Sequence, residues 1–170
     1  LMRRINRFPK PIGAVIDGYA YGGGLELALA CHTITATERS LLGLPEVTLG
    51  IIPGWGGTVY LPMRCKKANA LFLIQEGVIM SAQQAKEYGV IDEVKRNESF
   101  NPLTPPSPFQ KKSSVTQECI SKLIFGRKTI SEDEAFERER EIFDFVFFQD
   151  DAREGITAFV EKRDPHFEKE

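Results

Sequence analysis

The feature that most constrains this sequence is a run of three glycines between a strand-like and a helix-like apolar segment. Residues 12–16 are short, apolar and partly β-branched, which is typical of a strand buried on both faces. Residues 25–31 are almost all apolar and rich in strong helix formers. Glycine at the junction permits unusual backbone angles and the close approach of a ligand. The first N–H groups of a helix lack internal acceptors, so this turn can bind an oxygen that gains negative charge.

Glu26 is the one charged residue in this apolar helix. Its neighbours predict a helix that is buried nearly all round, and a glutamate is seldom buried without a partner or a function. Burial would raise its pKa, whereas the helix N-terminus would lower it. Two interpretations therefore stay open from the residues alone. Glu26 is either a first-turn glutamate that reaches solvent or a buried carboxyl group with a chemical role.

A second carboxyl group, Glu46, also stands among apolar residues and precedes a second glycine-rich turn at 53–57. Together, residues 21–26 and 44–58 closely resemble the enoyl-CoA hydratase/isomerase (crotonase) superfamily. Further matches follow at 79–94 and 150–163. The resemblance runs from about residue 10 to residue 167 and weakens between 97 and 114. No single motif decides it, but the order and spacing of the motifs together are very specific.

The resemblance implies an α/β fold of stacked ββα units around a parallel sheet, followed by a helical C-terminal region. We expect residues 1–96 to form the C-terminal part of the crotonase core and 97–114, with four prolines, to form a loop or linker. Residues 115–170 are expected to be a helical region that mediates oligomerisation or covers the active site. Crotonase domains carry earlier ββα units that are not matched here, so we interpret the chain as the C-terminal two-thirds of such a domain.

Local patterns predict the individual elements. Strands are expected at 12–16, 33–36, 42–44 and 90–94, and helices at 25–31 and 63–75. Ser81 with Gln84 forms a capping box for a further short helix, which ends at Gly89. From residue 113 the chain is expected to be helical to its end in three segments, the second starting at a capping box of Ser131 and Glu134. The second segment is expected to bury Ala135, Phe136, Ile142, Phe143, Val146 and Phe147.

Adding water to a double bond conjugated to a thioester needs stabilisation of the thioester oxygen, activation of the water and a proton for the α-carbon. Two carboxyl groups that face one water can share the last two tasks. The resemblance implies that Glu26 and Glu46 do so, that the Gly23 N–H is half of the oxyanion hole, and that the Gly54 N–H belongs to the water site. Many isomerases of the family keep only the second glutamate, so the presence of both favours a hydratase.

The resemblance also implies that the second oxyanion donor and much of the coenzyme A pocket come from a loop upstream of residue 10. One such donor contributes about 3–4 kcal/mol of transition-state stabilisation. We therefore expect the 170 residues alone to be weakly active or inactive.

Two further residues each have two interpretations. Trp55 stands in the second glycine turn where the family more often has a small residue, so it either narrows the acyl pocket or serves packing alone. Lys162 resembles a C-terminal lysine that binds coenzyme A phosphate across a subunit boundary. On spacing alone it is an exposed helix charge.

Composition excludes several other classes of function. The net charge of −2 gives no general attraction to nucleic acid, and no apolar run approaches the length of a membrane span. Three widely spaced cysteines without a CxxC pair favour a reducing compartment and no metal site. We therefore expect a cytoplasmic protein that needs no cofactor besides the coenzyme A thioester substrate. By resemblance it is a homotrimer or hexamer.

The leading hypothesis is hydration of 2-trans-enoyl-CoA to 3-hydroxyacyl-CoA in fatty-acid or related acyl-CoA metabolism. One alternative is an enoyl-CoA isomerase or acyl-CoA decarboxylase of the same fold, which would use one carboxylate or only the oxyanion hole. A second alternative is a non-catalytic oligomerisation or binding remnant.

Overall fold

The computed structural model describes residues 1–96, 112–125 and 130–167, which form two small sheets surrounded by helices. The strands are β1 (Gly13–Ile16), β2 (Tyr19–Tyr21), β3 (Thr33–Thr37), β4 (Leu41–Gly43), β5 (Ile79–Ser81) and β6 (Glu93–Lys95). The helices are α1 (Met2–Asn6), α2 (Gly23–Leu29), α3 (Gly57–Arg64), α4 (Lys67–Gln75), α5 (Ala82–Tyr88), α6 (Ser114–Phe125), α7 (Glu132–Phe147) and α8 (Asp150–Glu161). A short 3-10 helix spans Pro45–Leu49. Within the described residues no helix combines the length and the apolar character that a bilayer span requires.

The pairing of β2 with β4 brings the two glycine-turn regions to one edge of a sheet. One sheet has the order β1-β3-β6 and is parallel, and the other has the order β2-β4-β5, with β2 parallel to β4. Because parallel strands end at the same edge, the turn after β2 and the segment after β4 emerge side by side. Gly22, with φ 52°, donates its N–H to the Gly43 carbonyl at 2.9 Å. This contact fixes the start of α2 beside the 3-10 helix.

The four predicted strands form, with bounds shifted by up to three residues, as β1, β3, β4 and β6. The sequence patterns missed β2 and β5, which have three residues each and are too short to show a period. The expectation that β1 is buried on both faces is wrong, since Val15 is 72% exposed and only Ile16 is buried. The reason is that β1 is an edge strand of its sheet, and the described residues leave one of its faces uncovered.

The predicted helix at 63–75 is wrong in its extent, because the chain forms two helices there. Cys65 is extended, with φ −118° and ψ 173°, and separates α3 from α4. Both predicted capping boxes are confirmed, at Ser81–Gln84 and at Ser131–Glu134. Gly89 ends α5 in a left-handed conformation, as expected.

The C-terminal helical region forms three helices, but it is not helical to its end, since α8 stops at Glu161. On α7 the predicted apolar face is confirmed for Ala135 and Val146, which are buried. Phe147 is 44% exposed, so its predicted burial is wrong for the described residues. Residues 97–111 of the predicted loop lie outside the described residues, and α6 starts at Ser114.

Helices α6 and α8 both contact the C-terminal end of the 3-10 helix. A methyl group added at Gly155 of α8 would overlap the carbonyl carbon and oxygen of Leu49, so only glycine allows this approach. Gly50 adopts φ 68°, and its carbonyl accepts the Thr116 hydroxyl at 2.9 Å. The C-terminal region therefore fixes the element that carries Glu46.

We predict that Gly155→Ala destabilises the protein by about 1–3 kcal/mol, because the new methyl group meets backbone atoms that cannot rotate away. Urea unfolding measures the free energy of unfolding. The matched control is Gly24→Ala, since a methyl group at Gly24 in α2 meets nothing within 4 Å. Equal unfolding free energies for the two variants would contradict the packing argument.

Candidate active site

Glu26 is buried and bound to the second glycine turn. Its side chain is on α2 and only 2% exposed. Its Oε1 accepts the N–H groups of Trp55 and Gly57, both at 2.8 Å. Burial raises the pKa of Glu26, and these two hydrogen bonds act in the opposite direction. The structure thus favours the buried interpretation over the solvent-exposed one, although α2 itself is not buried all round, because Leu27 is exposed.

Glu46 lies on the 3-10 helix with its carboxyl group against the first glycine turn. A methyl group added at Gly22 would lie 3.1 Å from Glu46 Oε1. The Oε2 atom is buried, and it has no hydrogen-bond partner among the described residues. Burial raises the pKa of Glu46 to about 8, and the negative charge of Glu26 acts in the same direction. The structure therefore brings the two predicted carboxyl groups into electrostatic contact, and both burial and the charge of Glu26 favour the protonated form of Glu46.

Gly23 is the first residue of α2, so its N–H has no acceptor within the helix. The indole ring of Trp55 packs against it: a methyl group at Gly23 would lie 3.0 Å from Trp55 Cε3. The same added group would lie 4.0 Å from Glu26 Oε2. The predicted oxyanion donor, the predicted pocket residue and the first carboxyl group therefore lie together.

A cavity of about 290 Å³ opens beside the second glycine turn. Its lining consists of Leu1, Met2, Arg3, Gly54, Trp55 and Phe136, and neither Glu26 nor Glu46 contributes to it. Gly54 packs closely, since a methyl group there would lie 2.7 Å from the Phe143 ring. The two predicted binding residues of the second turn therefore line a common cavity, whereas the two predicted carboxyl groups lie outside its lining.

Lys162 follows α8 and has the left-handed angles φ 56° and ψ 41°. Its side chain is exposed, and in the described part of the chain its ammonium group forms no ion pair. In that part no hydrogen bond or ion pair joins Lys162 to the glycine turns. In the same residues no group of three or more potential ligands is arranged to hold a metal ion.

The sequence patterns missed a third buried carboxyl group, Glu139 on α7. It is 1% exposed, and its Oε1 accepts the N–H of Gly56 at 2.7 Å. Its Oε2 accepts both the N–H of Thr58, at 3.0 Å, and the Thr58 hydroxyl. Burial raises the pKa of Glu139 to about 8 against these hydrogen bonds, and the charge of Glu26 adds to the rise.

One signal in the sequence pointed to Glu139. It lies three or four residues from Ala135, Phe136, Ile142 and Phe143, which is the spacing of one helix face. It is therefore the single charge within the apolar face that was predicted for α7.

Comparison with known proteins identifies the family of this chain. The profile of the enoyl-CoA hydratase/isomerase family matches residues 1–170. The chain belongs to this family. The resemblance seen in the sequence and the expected crotonase-type α/β fold are thus confirmed, and the family is one of hydro-lyases and related enzymes.

Among the relatives is a protein of Bacillus subtilis named "Probable enoyl-CoA hydratase", which is 43% identical over all of this chain and 67% of its own length. The 2,3-dehydroadipyl-CoA hydratase of Escherichia coli is 34% identical over 98% of this chain and 66% of its own length. A crystal structure of methylmalonyl-CoA decarboxylase with 2S-carboxypropyl-CoA matches with a TM-score of 0.71 and 25% identity, over 99% of this chain and 66% of that one. The chain thus spans about two thirds of each of these proteins.

The raised pKa of Glu46 predicts a pH-dependent stability. Below about pH 4.5 both the folded and the unfolded chain bind this proton. As the pH rises toward 8, the unfolded chain releases the proton while the folded chain must keep it, so the free energy of unfolding falls. Glu46→Gln removes the titrating group and should make this fall smaller by an amount on the order of 1 kcal/mol or more.

Urea unfolding at several pH values between about 5 and 8 measures this effect. Glu139 retains its own contribution in the variant, so some slope should remain. The matched control is Glu141→Gln on the exposed side of α7, which should leave the slope unchanged. A Glu46→Gln variant with the slope of the wild type would show that Glu46 is ionised in the folded protein.

Proposed function

We propose that the protein adds water to 2-trans-enoyl-CoA and releases 3-hydroxyacyl-CoA. The observation that carries the proposal is the proximity of Glu26 and Glu46. The Oε2 atom of Glu46 is buried and has no hydrogen-bond partner among the described residues. A buried acid without a partner is costly to a fold unless a ligand or a reaction uses it. The hydratase names of the relatives support the same reading.

The two carboxyl groups have different environments, which suits different tasks. Glu26 receives two backbone hydrogen bonds, which favour its ionised form and therefore a role as the base that takes a proton from water. Glu46 receives none at Oε2 and keeps its proton, so it can serve as the acid. The water oxygen bonds to the β-carbon while the proton of Glu46 passes to the α-carbon. Proton loss from Glu26 and proton uptake by Glu46 then restore the starting state.

The Gly23 N–H is proposed to donate to the thioester oxygen while negative charge builds there. The Gly54 N–H is proposed to help bind the water, and Lys162 to bind a coenzyme A phosphate. Hydration changes no oxidation state of the protein, so the proposal includes no cofactor beyond the thioester itself.

The setting of the enzyme is also a proposal. Fatty-acid oxidation or a related acyl-CoA pathway in the cytoplasm fits a hydratase of this family. Assembly into trimers is supported by exposed aromatic residues on α7 and α8 and between them, among them Phe145, Phe148 and Phe159, which are 55%, 81% and 58% exposed. Light scattering coupled to size-exclusion chromatography measures the oligomeric state.

Replacement of either glutamate tests the reaction. In the complete gene product, Glu26→Gln and Glu46→Gln should each lower kcat for hydration of crotonyl-CoA by about 10²- to 10⁴-fold, because each removes a proton-transfer group but keeps its volume. KM should change much less. Glu141→Gln is the matched control. Turnover near the wild-type rate in either variant would contradict the paired-acid proposal.

A decarboxylase is the second candidate, since a methylmalonyl-CoA decarboxylase shares the fold. Decarboxylation needs the oxyanion donor but no water-activating pair, so it leaves the unpartnered acid of Glu46 unexplained. Incubation with 3-enoyl-CoA and with malonyl-type thioesters, followed by product analysis, separates isomerase and decarboxylase from hydratase.

Trp55 is proposed to limit the length of the acyl group. Trp55 is 64% exposed, its ring packs against Gly23, and it lines the cavity beside the second turn. Trp55→Ala should raise kcat/KM for long-chain relative to four-carbon enoyl-CoA by about tenfold or more, because it opens apolar space. An unchanged ratio would assign Trp55 to packing alone.

A further inference from the structure

The second glycine turn is held from two sides by two glutamates that bind alternate backbone N–H groups. Glu26 of α2 binds residues 55 and 57, and Glu139 of α7 binds residues 56 and 58. Four consecutive N–H groups are thus satisfied by two carboxyl groups that lie 113 residues apart in the chain (139 − 26). The turn cannot shift toward one carboxyl group without loosening its bonds to the other.

We propose that Glu139 is a positioning residue for the active site. It fixes the turn so that the Trp55 and Gly57 N–H groups hold Glu26 in the orientation its chemistry requires. The expected effect on kcat rests on the proposed function. The coupling of the two glutamates through the turn is a structural claim and does not depend on that function.

In the described residues the other hydrogen bonds of the turn are those of the start of α3, in which the Gly56 carbonyl accepts the N–H groups of Val59 and Tyr60. The Phe136 and Phe143 rings of α7 lie over Gly56 and Gly54, but ring contacts leave the backbone free to rotate its N–H groups. The Thr58 hydroxyl adds a third bond to Glu139 and orients the carboxyl group. Ion pairs hold the start of α7 near α1, as Arg7 contacts both Glu132 and Asp133. Glu139 therefore acts from a fixed helix, which suits a residue that must define a geometry.

Glu139→Gln tests the role in the complete gene product. The carboxamide has nearly the same volume, but its NH₂ group faces a backbone donor, so at least one bond to the turn is lost. We expect kcat to fall about 10- to 100-fold, as for a misplaced catalytic group, with KM little changed. Glu141→Gln on the same helix should behave like the wild type.

A double-mutant cycle separates positioning from a general loss of folding. If Glu139 acts through Glu26, Glu139→Gln should have little further effect on kcat once Glu26 is glutamine. Costs that multiply independently would overturn the proposal. Thermal unfolding confirms that the compared variants are folded at the assay temperature. Thr58→Val removes the hydroxyl bond to Glu139 and keeps the two backbone bonds. It should also lower kcat, but by a smaller factor than Glu139→Gln.

Hydrogen exchange, resolved to single amides and measured without substrate, tests the coupling apart from activity. Glu139→Gln should speed exchange at Trp55 and Gly57, whose N–H groups donate to Glu26 and not to Glu139, as well as at Gly56 and Thr58. Faster exchange at Gly56 and Thr58 alone would overturn the proposal. Faster exchange at all four amides in an enzyme that hydrates no enoyl-CoA would leave the coupling in place and overturn the proposed function instead.

Discussion

The capture of the second glycine turn by buried carboxyl groups is the interaction on which the rest of the site depends. A helix start exposes N–H groups that need acceptors, and in α3 these groups are bound by side chains from other helices. Glu26 thereby gains a fixed orientation, and the turn gains a fixed distance from α2. The position of the turn also sets where Trp55 lies, and Trp55 both lines the cavity and packs against Gly23.

Three buried carboxyl groups in one region set the electrostatics of the site. Burial raises the pKa of each of them, and the charge of Glu26 further raises the pKa of both Glu46 and Glu139. Each negative charge disfavours the ionisation of the others. Hydrogen bonds from the second glycine turn act against the rise in pKa at Glu26 and Glu139, whereas Glu46 Oε2 has no hydrogen-bond partner among the described residues. The geometry of the turn therefore contributes to the different acid–base character of Glu26 and Glu46.

The sequence predicted the parts of the site that local patterns encode. Glu26 and Glu46 each interrupt an apolar run beside glycines, so their unusual environment shows within a few residues. Their meeting depends on the pairing of β2 with β4, and β2 is too short to leave a periodic pattern. Local patterns also placed the predicted helix at 63–75, across the break at Cys65, and missed most of α3.

Glu139 shows a different limit of local reasoning. Its place on an apolar helix face is visible in the sequence, but its partners Gly56 and Thr58 are 83 and 81 residues away, so only the fold reveals what it binds.

The helical region after residue 112 belongs to the site as well as to the surface. Gly155 of α8 presses on the 3-10 helix that carries Glu46, and Glu139 of α7 binds the turn that orients Glu26. If Glu139 only filled space, an apolar side chain of similar size would do so at a lower cost in free energy of folding. The three hydrogen bonds of Glu139 to two neighbouring residues give it a specific geometry to impose. The relative positions of Glu26 and Glu46 therefore depend on how the C-terminal helices pack against the rest of the fold.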